Sequence, residues 1–364
     1  MIAILQPFVP HYREDFFNGL IDRLETDIYC YETSSEISRN KFRKGDINVK
    51  QIKKIKIGPV VLVSPFHFLK KKYSTVVLML TFSHISTWIL LFTRPIHRKK
   101  VFLMGHGISV KRFIKEEKKP NILLKWMIAL SDGAWFYTEH ELNIWRKIFP
   151  KSNLVALNNT ISDVNKILSA RTRSREEIKA LYNISQPRIF IFCARFVEPA
   201  KRFDILVKAV DALDKNKFGF IIIGDGNLKP DFKNYKNVYD FGALYDRQLK
   251  NDLFHAADIY FQPAWVGLSI VEAMAYGKPI FTFKRSKNLL QCVEYSYVKN
   301  GYNGIIFETL QDFFEESTSI TDEQIAAMGN NSERFATNEL KIEAMVSKAY
   351  NNLIKEDRNL VPIS

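Results

Sequence analysis

Short runs of apolar residues alternate along the whole chain with longer stretches in which apolar positions recur every three or four residues. Alternation of this kind predicts buried strands of a parallel sheet joined by crossover helices. The strand-like runs lie at residues 2–6, 27–31, 75–80 and 101–104 in the first half, and at 188–192, 219–223, 238–241, 259–262 and 280–283 in the second. The pattern therefore predicts an α/β protein with two doubly wound, Rossmann-like domains.

A polar and basic stretch separates the two halves. It covers residues 162–187, contains the sequence ARTRSREE, and ends in a Gln-Pro pair that favours a break in regular structure. A chain of 364 residues is also long enough for two domains of ordinary size. We expect a first domain at 1–165, a junction at 166–187, a second domain at 188–340, and a C-terminal helix at 341–364 that packs back on the first domain.

Residues 76–93 carry no formal charge and are flanked by basic residues. Their length alone allows a membrane-spanning helix, and a helix lying in the membrane interface is a further alternative. Thr81, Ser83 and His84 stand near the centre, however, where a membrane span is most apolar. We favour a buried strand followed by a turn and a helix, with Ser83 capping that helix.

The net charge of +14 is unevenly distributed. Residues 1–170 hold 27 Lys and Arg against 14 Asp and Glu, whereas residues 171–364 hold 26 against 25. Within residues 37–119 there are 20 basic and 3 acidic residues, an excess that points to an anionic partner. Anionic membrane lipid, a phosphate-bearing substrate and nucleic acid are the candidates. Aromatic residues do stand among these cations, but no nucleic-acid-binding motif or stacking pattern is recognisable, so we expect no nucleic acid; they are Phe42, Phe66, Phe68 and Tyr73.

The three cysteines form no C-x-x-C pair and predict neither a disulfide framework nor a thiolate zinc site. The first residues, MIAILQP, lack the basic start of a signal peptide. We therefore expect a cytoplasmic protein.

The most informative stretch is residues 263–279, PAWVGLSIVEAMAYGKP, which follows a predicted strand. A turn at Gly267 leads into a helix beginning near Leu268 and Ser269, with Glu272 in its first turn. A helix N-terminus at the carboxyl end of a parallel strand offers free backbone N–H groups to an anion. Glu272 is then placed to accept hydrogen bonds from hydroxyls such as a ribose diol. The alternative is a plain turn followed by a favourable first-turn acid.

Two further features follow strands of the same half. Arg195 and Lys201 lie six residues apart after residues 188–192, where two cations could neutralise a diphosphate without a metal, although they could also be ordinary surface residues. Gly224 and Gly226 follow residues 219–223 and suit a close approach of backbone to a nucleotide. The G-x-G-x-x-G fingerprint is absent, which argues against a nicotinamide cofactor.

Taken in order, these motifs resemble glycosyltransferase family 4, also called group 1, of GT-B fold. The resemblance is strongest over residues 188–310, and it includes Phe241 with Gly242 and the GLSIVEAMA segment beginning at Gly267. The first half matches more loosely, through Gly105-His106-Gly107 and a PHYR segment containing His11 and Arg13.

The resemblance implies two Rossmann-like domains facing a cleft, and a retaining, metal-independent transfer of a sugar from a nucleotide diphosphate sugar to an acceptor. By this resemblance the catalytic set is His106, Arg195, Lys201 and Glu272. The donor-binding set is Gly224, Gly226, Phe241, Gly267, Leu268 and Ser269. His11 and Arg13 are expected on the acceptor side, and no metal or cofactor is expected.

One position departs from the family pattern. Eight residues before Glu272 the family usually carries a second glutamate, and here that position is Ala264. The chain therefore accepts a different sugar, uses another group such as Trp265, or has lost activity. Our leading hypothesis is a peripheral membrane glycosyltransferase that acts on a lipid-linked or saccharide acceptor in surface polysaccharide assembly. The alternative is a catalytically impaired subunit that binds a nucleotide sugar or a partner.

Overall fold

The computed structural model describes residues 1–39, 44–357 and 359–363. Phe42, considered above for nucleic-acid binding, lies outside the described residues. The chain divides into two compact units, residues 1–162 with 341–364, and residues 163–340.

The first unit is built on a parallel sheet whose three central strands are largely apolar. Its strands are β1 (Ile2–Gln6), β2 (Thr26–Cys30), β3 (Lys50–Gln51), β4 (Lys54–Ile57), β5 (Val60–Val63), β6 (Thr75–Met79), β7 (Lys100–Met104), β8 (Gly133–Phe136) and β9 (Leu154–Ala156). Among the described residues, seven of them form the sheet β3-β2-β1-β6-β7-β8-β9, and β4 and β5 form a separate antiparallel hairpin. Strands covered by helices on both faces need continuous apolar runs, which is why β1, β6 and β7 were predictable.

Helices connect these strands. They are α1 (Glu14–Ile21), α2 (Ser34–Arg39), α3 (Ile85–Phe92), α4 (Arg94–His97), α5 (Phe113–Lys118), α6 (Ile122–Leu130) and α7 (Glu139–Ile148). The stretch 76–93 thus forms β6, a turn and α3, as predicted. The prediction that Ser83 caps this helix is wrong, because His84 occupies the N-cap position. In the described part of the chain, no helix has the length and apolar character needed to cross a bilayer.

The second unit repeats the architecture. Its strands are β10 (Arg188–Cys193), β11 (Phe218–Ile223), β12 (Val238–Asp240), β13 (Ile259–Phe261), β14 (Ile280–Phe283) and β15 (Gly304–Phe307). Over the residues that the structure describes they form one parallel sheet, in the order β12-β11-β10-β13-β14-β15. Two doubly wound α/β units are therefore confirmed.

The helices of the second unit begin soon after Ser162. They are α8 (Val164–Leu168), α9 (Arg175–Leu181), α10 (Phe203–Ala212), α11 (Arg247–Ala256), α12 (Ser269–Ala275), α13 (Leu310–Ser319) and α14 (Asp322–Glu339). Residues 166–187, expected as a junction, thus lie within the second unit and include α9, which begins with a capping box at Ser174.

The last helix, α15 (Ile342–Glu356), belongs to the first unit. The Trp135 indole donates a hydrogen bond to Asn352 Oδ1 at 2.8 Å, and Thr75 donates one to Asp357 Oδ2 at 2.6 Å. These buried polar contacts, with apolar packing of α15 on α1, fix the C-terminal segment against the first sheet.

Candidate functional site

The strand order of the second unit places a topological switch point between β10 and β13. The chain winds outward in one direction from β10 and in the other direction from β13, and these two strands are neighbours. In open α/β sheets, ligands bind at such a switch point, beyond the carboxyl ends of the strands. Arg195 follows β10, the turn at 263–268 follows β13, and Gly224 and Phe241 follow β11 and β12. The structure therefore brings these sequence-predicted residues to the same edge.

The loop that carries Arg195 is held by the glycine turn after β11. Phe196 N–H donates to the Asp225 carbonyl at 2.9 Å, and Ala194 N–H donates to the Ile223 carbonyl at 3.0 Å. Gly224 and Gly226 adopt φ values of +138° and +152°. A Cβ at these positions would lie 2.1 Å from the Ala194 carbonyl oxygen and 2.3 Å from the Phe196 carbonyl oxygen.

These two glycines are thus required for the approach of one protein loop to another. The sequence pattern predicts instead that they allow the close approach of a nucleotide. Loop packing already accounts for both residues, so a nucleotide contact at the glycine turn stays a prediction.

Arg195 and Lys201 provide positive charge at this edge. Arg195 is exposed, and Lys201 is half-buried at the end of the short 3₁₀ turn Pro199–Lys201. Burial first, and then the positive charge of Arg195, lower the pKa of Lys201 below its ordinary value. The two cations are therefore close enough to repel each other, and a bound anion would relieve that repulsion.

The turn before α12 lies next to this charged loop through Cys292. A Cβ built on Gly267 would stand 3.6 Å from the Cys292 sulfur. Burial raises the pKa of the Cys292 thiol, and the nearby positive charge of Lys201 opposes that rise. The helix begins at Ser269, as predicted, and Leu268 occupies its N-cap position. The Ser269 hydroxyl donates to Gln262 Oε1 at 2.8 Å. Lys201 and the start of α12 thus share one neighbourhood.

Glu272, in the first turn of α12, is paired with a lysine that sequence reasoning missed. Its carboxylate lies 2.5 Å from Lys250 Nζ, and both side chains are largely shielded from solvent. Burial by itself lowers the pKa of Lys250, but the Cys193 thiol and the Glu272 carboxylate outweigh it and raise that pKa. Lys250 lies on α11, and no local pattern in the sequence connects it with Glu272.

Two buried glutamines organise the turn at 263–268. The Gln262 amide donates to the carbonyls of Ala264 and Trp265 at 3.0 and 2.9 Å, and Gln291 Oε1 accepts from Val266 N–H at 2.8 Å. Ala264 is completely buried and belongs to the apolar core of the second unit. A glutamate at this position would have to be accommodated at the edge of that core.

Phe241 is half-buried at the end of β12, and its ring meets the Tyr182 ring edge to face at 5.3 Å. Its position at the sheet edge agrees with the predicted donor-binding set, whose ligand contacts stay predictions.

In the first unit, the predicted residues gather at the carboxyl edge of the other sheet. The rings of His106 and Tyr137 stand 4.5 Å apart, and the Arg13 guanidinium lies 4.5 Å from the Tyr137 ring centre. His106 keeps an exposed surface, but crowding by surrounding protein atoms, followed by the charge of Arg13, lowers the pKa of its imidazole to about 4, so the ring is neutral at pH 7. Arg13 also donates to Asn159 Oδ1 at 2.7 Å and is only 7% exposed, whereas His11 is exposed. Arg13 therefore connects the loop after β1 to the segments that follow β8 and β9.

The described residues contain no group of three or more His, Cys, Asp or Glu side chains arranged to hold a metal ion. Metal independence stays a prediction.

Residues 187–321 match the family model for Glycosyl transferases group 1. An uncharacterized glycosyltransferase of Haemophilus influenzae is 26% identical over 184 residues, which are 48% of this chain and 48% of that protein. The chain thus spans about half the length of this curated relative.

Solved structures match over nearly the whole chain. HepE of Anabaena in complex with UDP aligns with a TM-score of 0.65 at 15% identity, covering 97% of this chain and 99% of that one. The lipopolysaccharide outer core galactosyltransferase WaaB, in its apo form, aligns with a TM-score of 0.65 at 14% identity, covering 98% and 99%. The fold is therefore GT-B, as the sequence resemblance implied, and residues 187–321 of the second unit are similar to the group 1 glycosyl transferases.

Proposed function

We propose that this protein is a retaining glycosyltransferase that moves a sugar from a uridine diphosphate sugar to an acceptor hydroxyl. The observation that carries the proposal is the meeting of Arg195, Lys201 and the start of α12 at the switch point of a group 1 domain. Uridine is proposed because HepE, which shares the fold, is described in complex with UDP and with UDP-glucose.

Each residue then has a role set by its chemistry. Breaking the bond between sugar and phosphate leaves negative charge on the diphosphate, and Arg195 and Lys201 stabilise that charge as it develops. Glu272 accepts hydrogen bonds from the ribose hydroxyls, and Lys250 holds its carboxylate in one orientation. His106, neutral at pH 7, is placed beside the donor sugar by the family resemblance. The chemistry needs no metal, because the two cations take the place of a divalent ion.

Binding of the donor can be tested by thermal unfolding with UDP, GDP and UDP-sugars. A nucleotide at a hundred times its Kd stabilises the folded state by about 2.7 kcal/mol, which is readily visible. Arg195→Ala, Lys201→Ala and Glu272→Ala should each abolish most of the stabilisation by UDP. Lys208→Ala, an exposed lysine of α10, is the matched control and should bind UDP normally.

Turnover is a separate measurement. Losing one group that stabilises the leaving charge typically lowers the rate by about a hundred- to a thousandfold. The anomeric configuration of the product, read by NMR, tests retention. Nucleotide binding without transfer or donor hydrolysis would instead support the impaired subunit, a second candidate that the buried alanine at position 264 favours.

We further propose that the first unit binds an anionic membrane surface and presents a lipid-linked acceptor, as in the assembly of lipopolysaccharide, capsule or exopolysaccharide. Helices α3 and α6 pack on each other and expose large apolar side chains, notably Phe92, Ile122 and Trp126. Ile96 of α4 is 82% exposed beside them.

Positive charge accompanies this apolar face. A cavity of about 370 Å³ between α4 and α6 is lined by cations that outnumber the Asp132 carboxylate in its wall: Arg94, Arg98, Lys99 and Lys100. Each cation near an anionic bilayer contributes about 1 kcal/mol of attraction, and exposed apolar rings add burial in the interface.

Vesicle sedimentation tests this surface. The protein should sediment with vesicles of phosphatidylglycerol and detach from them as the salt concentration rises. It should not sediment with vesicles of phosphatidylcholine. Arg98→Glu and Trp126→Ala should weaken sedimentation, whereas Lys208→Glu and Tyr245→Ala, exposed positions of the second unit, should not. Equal binding to both lipids would contradict a charge-driven membrane surface.

A further inference from the structure

The turn that follows β13 contains a tryptophan in an unfavourable backbone conformation. Trp265 has φ of +53°, in the left-handed region that suits glycine and that bulky residues rarely occupy. A residue is kept in such a conformation only where its surroundings enforce it, and strain of this kind is concentrated at functional sites.

The surroundings of Trp265 enforce it from both sides. Its N–H donates to the Leu290 carbonyl at 2.8 Å, and its carbonyl accepts from the Gln262 amide at 2.9 Å. Gln262 is anchored in turn, because its Oε1 accepts from the hydroxyls of Tyr260 and Ser269, both at 2.8 Å.

The next residue is fixed as firmly. Val266 N–H donates to Gln291 Oε1, while the Gln291 amide donates to Thr282 Oγ1 at 3.1 Å and to the Phe283 carbonyl at 2.8 Å. Gln262 and Gln291 are both 0% exposed. Buried amides with fully used hydrogen-bonding groups make a rigid support, so the position of Trp265 is set before any ligand arrives.

The side chain of Trp265 is less buried than the side chains of the residues on either side of it. Ala264 and Val266 are completely buried, whereas Trp265 stays partly exposed. Over the residues that the structure describes, its indole makes neither a hydrogen bond nor a contact with another aromatic ring. The strained backbone therefore presents a large apolar surface two residues before Gly267, at the entrance to α12.

We propose that Trp265 is the residue that selects the donor sugar, and that the preferred sugar carries an apolar substituent, such as the methyl group of an N-acetyl sugar. This inference rests on the proposed function. The face of an indole cannot accept a conventional hydrogen bond from a sugar hydroxyl, and Ala264 beside it is completely buried, so a hydroxyl-rich sugar face would lose its hydrogen-bond partners there. A methyl group packed against the indole is desolvated favourably.

The variants Trp265→Gly and Trp265→Phe test the proposal. Glycine removes the indole and relieves the backbone, and phenylalanine keeps an aromatic face. Asn183→Gly is the matched control, because Asn183 has φ of +52° at an exposed position of the same unit. The measurements are thermal unfolding and the affinities for UDP, UDP-N-acetylglucosamine and UDP-glucose.

We expect Trp265→Gly to melt at or above the wild-type temperature and to bind UDP within twofold of wild type. Its affinity for UDP-N-acetylglucosamine should fall at least tenfold, with the preference over UDP-glucose lost. Trp265→Phe and Asn183→Gly should keep that preference.

If Trp265→Gly melted below the wild-type temperature, the indole would be needed for packing, and the inference would be overturned. An unchanged preference between the two sugars in Trp265→Gly would overturn it as well. In both cases binding of UDP leaves the proposed function intact, whereas a wild-type protein that binds no nucleotide overturns the two together.

Discussion

Replacing Gly224 by alanine should damage the second unit severely, because two independent costs fall on one position. At φ of +138° an L-residue is strained regardless of the space around it. The added Cβ would also stand 2.1 Å from the Ala194 carbonyl oxygen, where real Cβ atoms keep at least 3.0 Å, so the backbone must shift by about 0.9 Å.

The size of the effect follows from these terms. The unfavourable φ costs on the order of 1–3 kcal/mol. The shift would also break the hydrogen bonds that Ala194 N–H and Phe196 N–H donate to the chain around Gly224, at about 0.5–1.5 kcal/mol each. We expect a loss of about 3–5 kcal/mol in the free energy of unfolding, which lowers the melting temperature of a unit of this size by about 10 °C.

Gly301→Ala is the control, because Gly301 has φ of +73° and its Cβ would meet nothing within 4 Å. Its free energy of unfolding should fall only by the cost of placing alanine in a left-handed backbone conformation, about 1–2 kcal/mol. Thermal and urea unfolding measure both variants, and UDP binding reports on the displaced Arg195 loop. If Gly224→Ala unfolds like Gly301→Ala, the turn relaxes freely and the explanation by loop packing is refuted.

Three further predictions concern charged or titratable groups. Burial lowers the pKa of His84 to about 4, below its value of 6.5 in the unfolded chain, so the unfolded state binds more protons between these pH values. Stability should therefore fall by up to about 3 kcal/mol as the pH drops from 6.5 to 4, and urea unfolding of His84→Gln should show a shallower dependence. Arg13→Met removes the guanidinium that donates to the Tyr137 hydroxyl at 3.1 Å and to Asn159 Oδ1 at 2.7 Å, and should lower the free energy of unfolding by about 1–3 kcal/mol, measured in urea. Lys250→Met should weaken UDP binding about tenfold in calorimetry, because the carboxylate of Glu272 loses its partner at 2.5 Å; unchanged affinity would exclude a positioning role.

The sequence by itself determined the parts of the molecule that depend on near neighbours along the chain. Runs such as residues 188–193 and 218–223 are apolar throughout because both faces of a central parallel strand are covered, so β10 and β11 were readable directly. The short strands β8, β9 and β15 were missed, because two of them begin with glycine and the third has only three residues; β3, β4 and β5 were missed as well. The start of α12 at Ser269 was also local, since a turn and a first-turn acid mark it.

Only the tertiary structure decided which of these local features meet. Strand order brings the loop after β10 beside the turn after β13, and the pairing of Glu272 with Lys250 joins residues 22 positions apart on two different helices. It also buries Ala264, engages Arg13 with Tyr137 and Asn159, and explains Gly224 by the Ala194 carbonyl. Short-range patterns reflect backbone geometry and burial, whereas such contacts depend on how distant segments pack, for which a single sequence has no repeating signal.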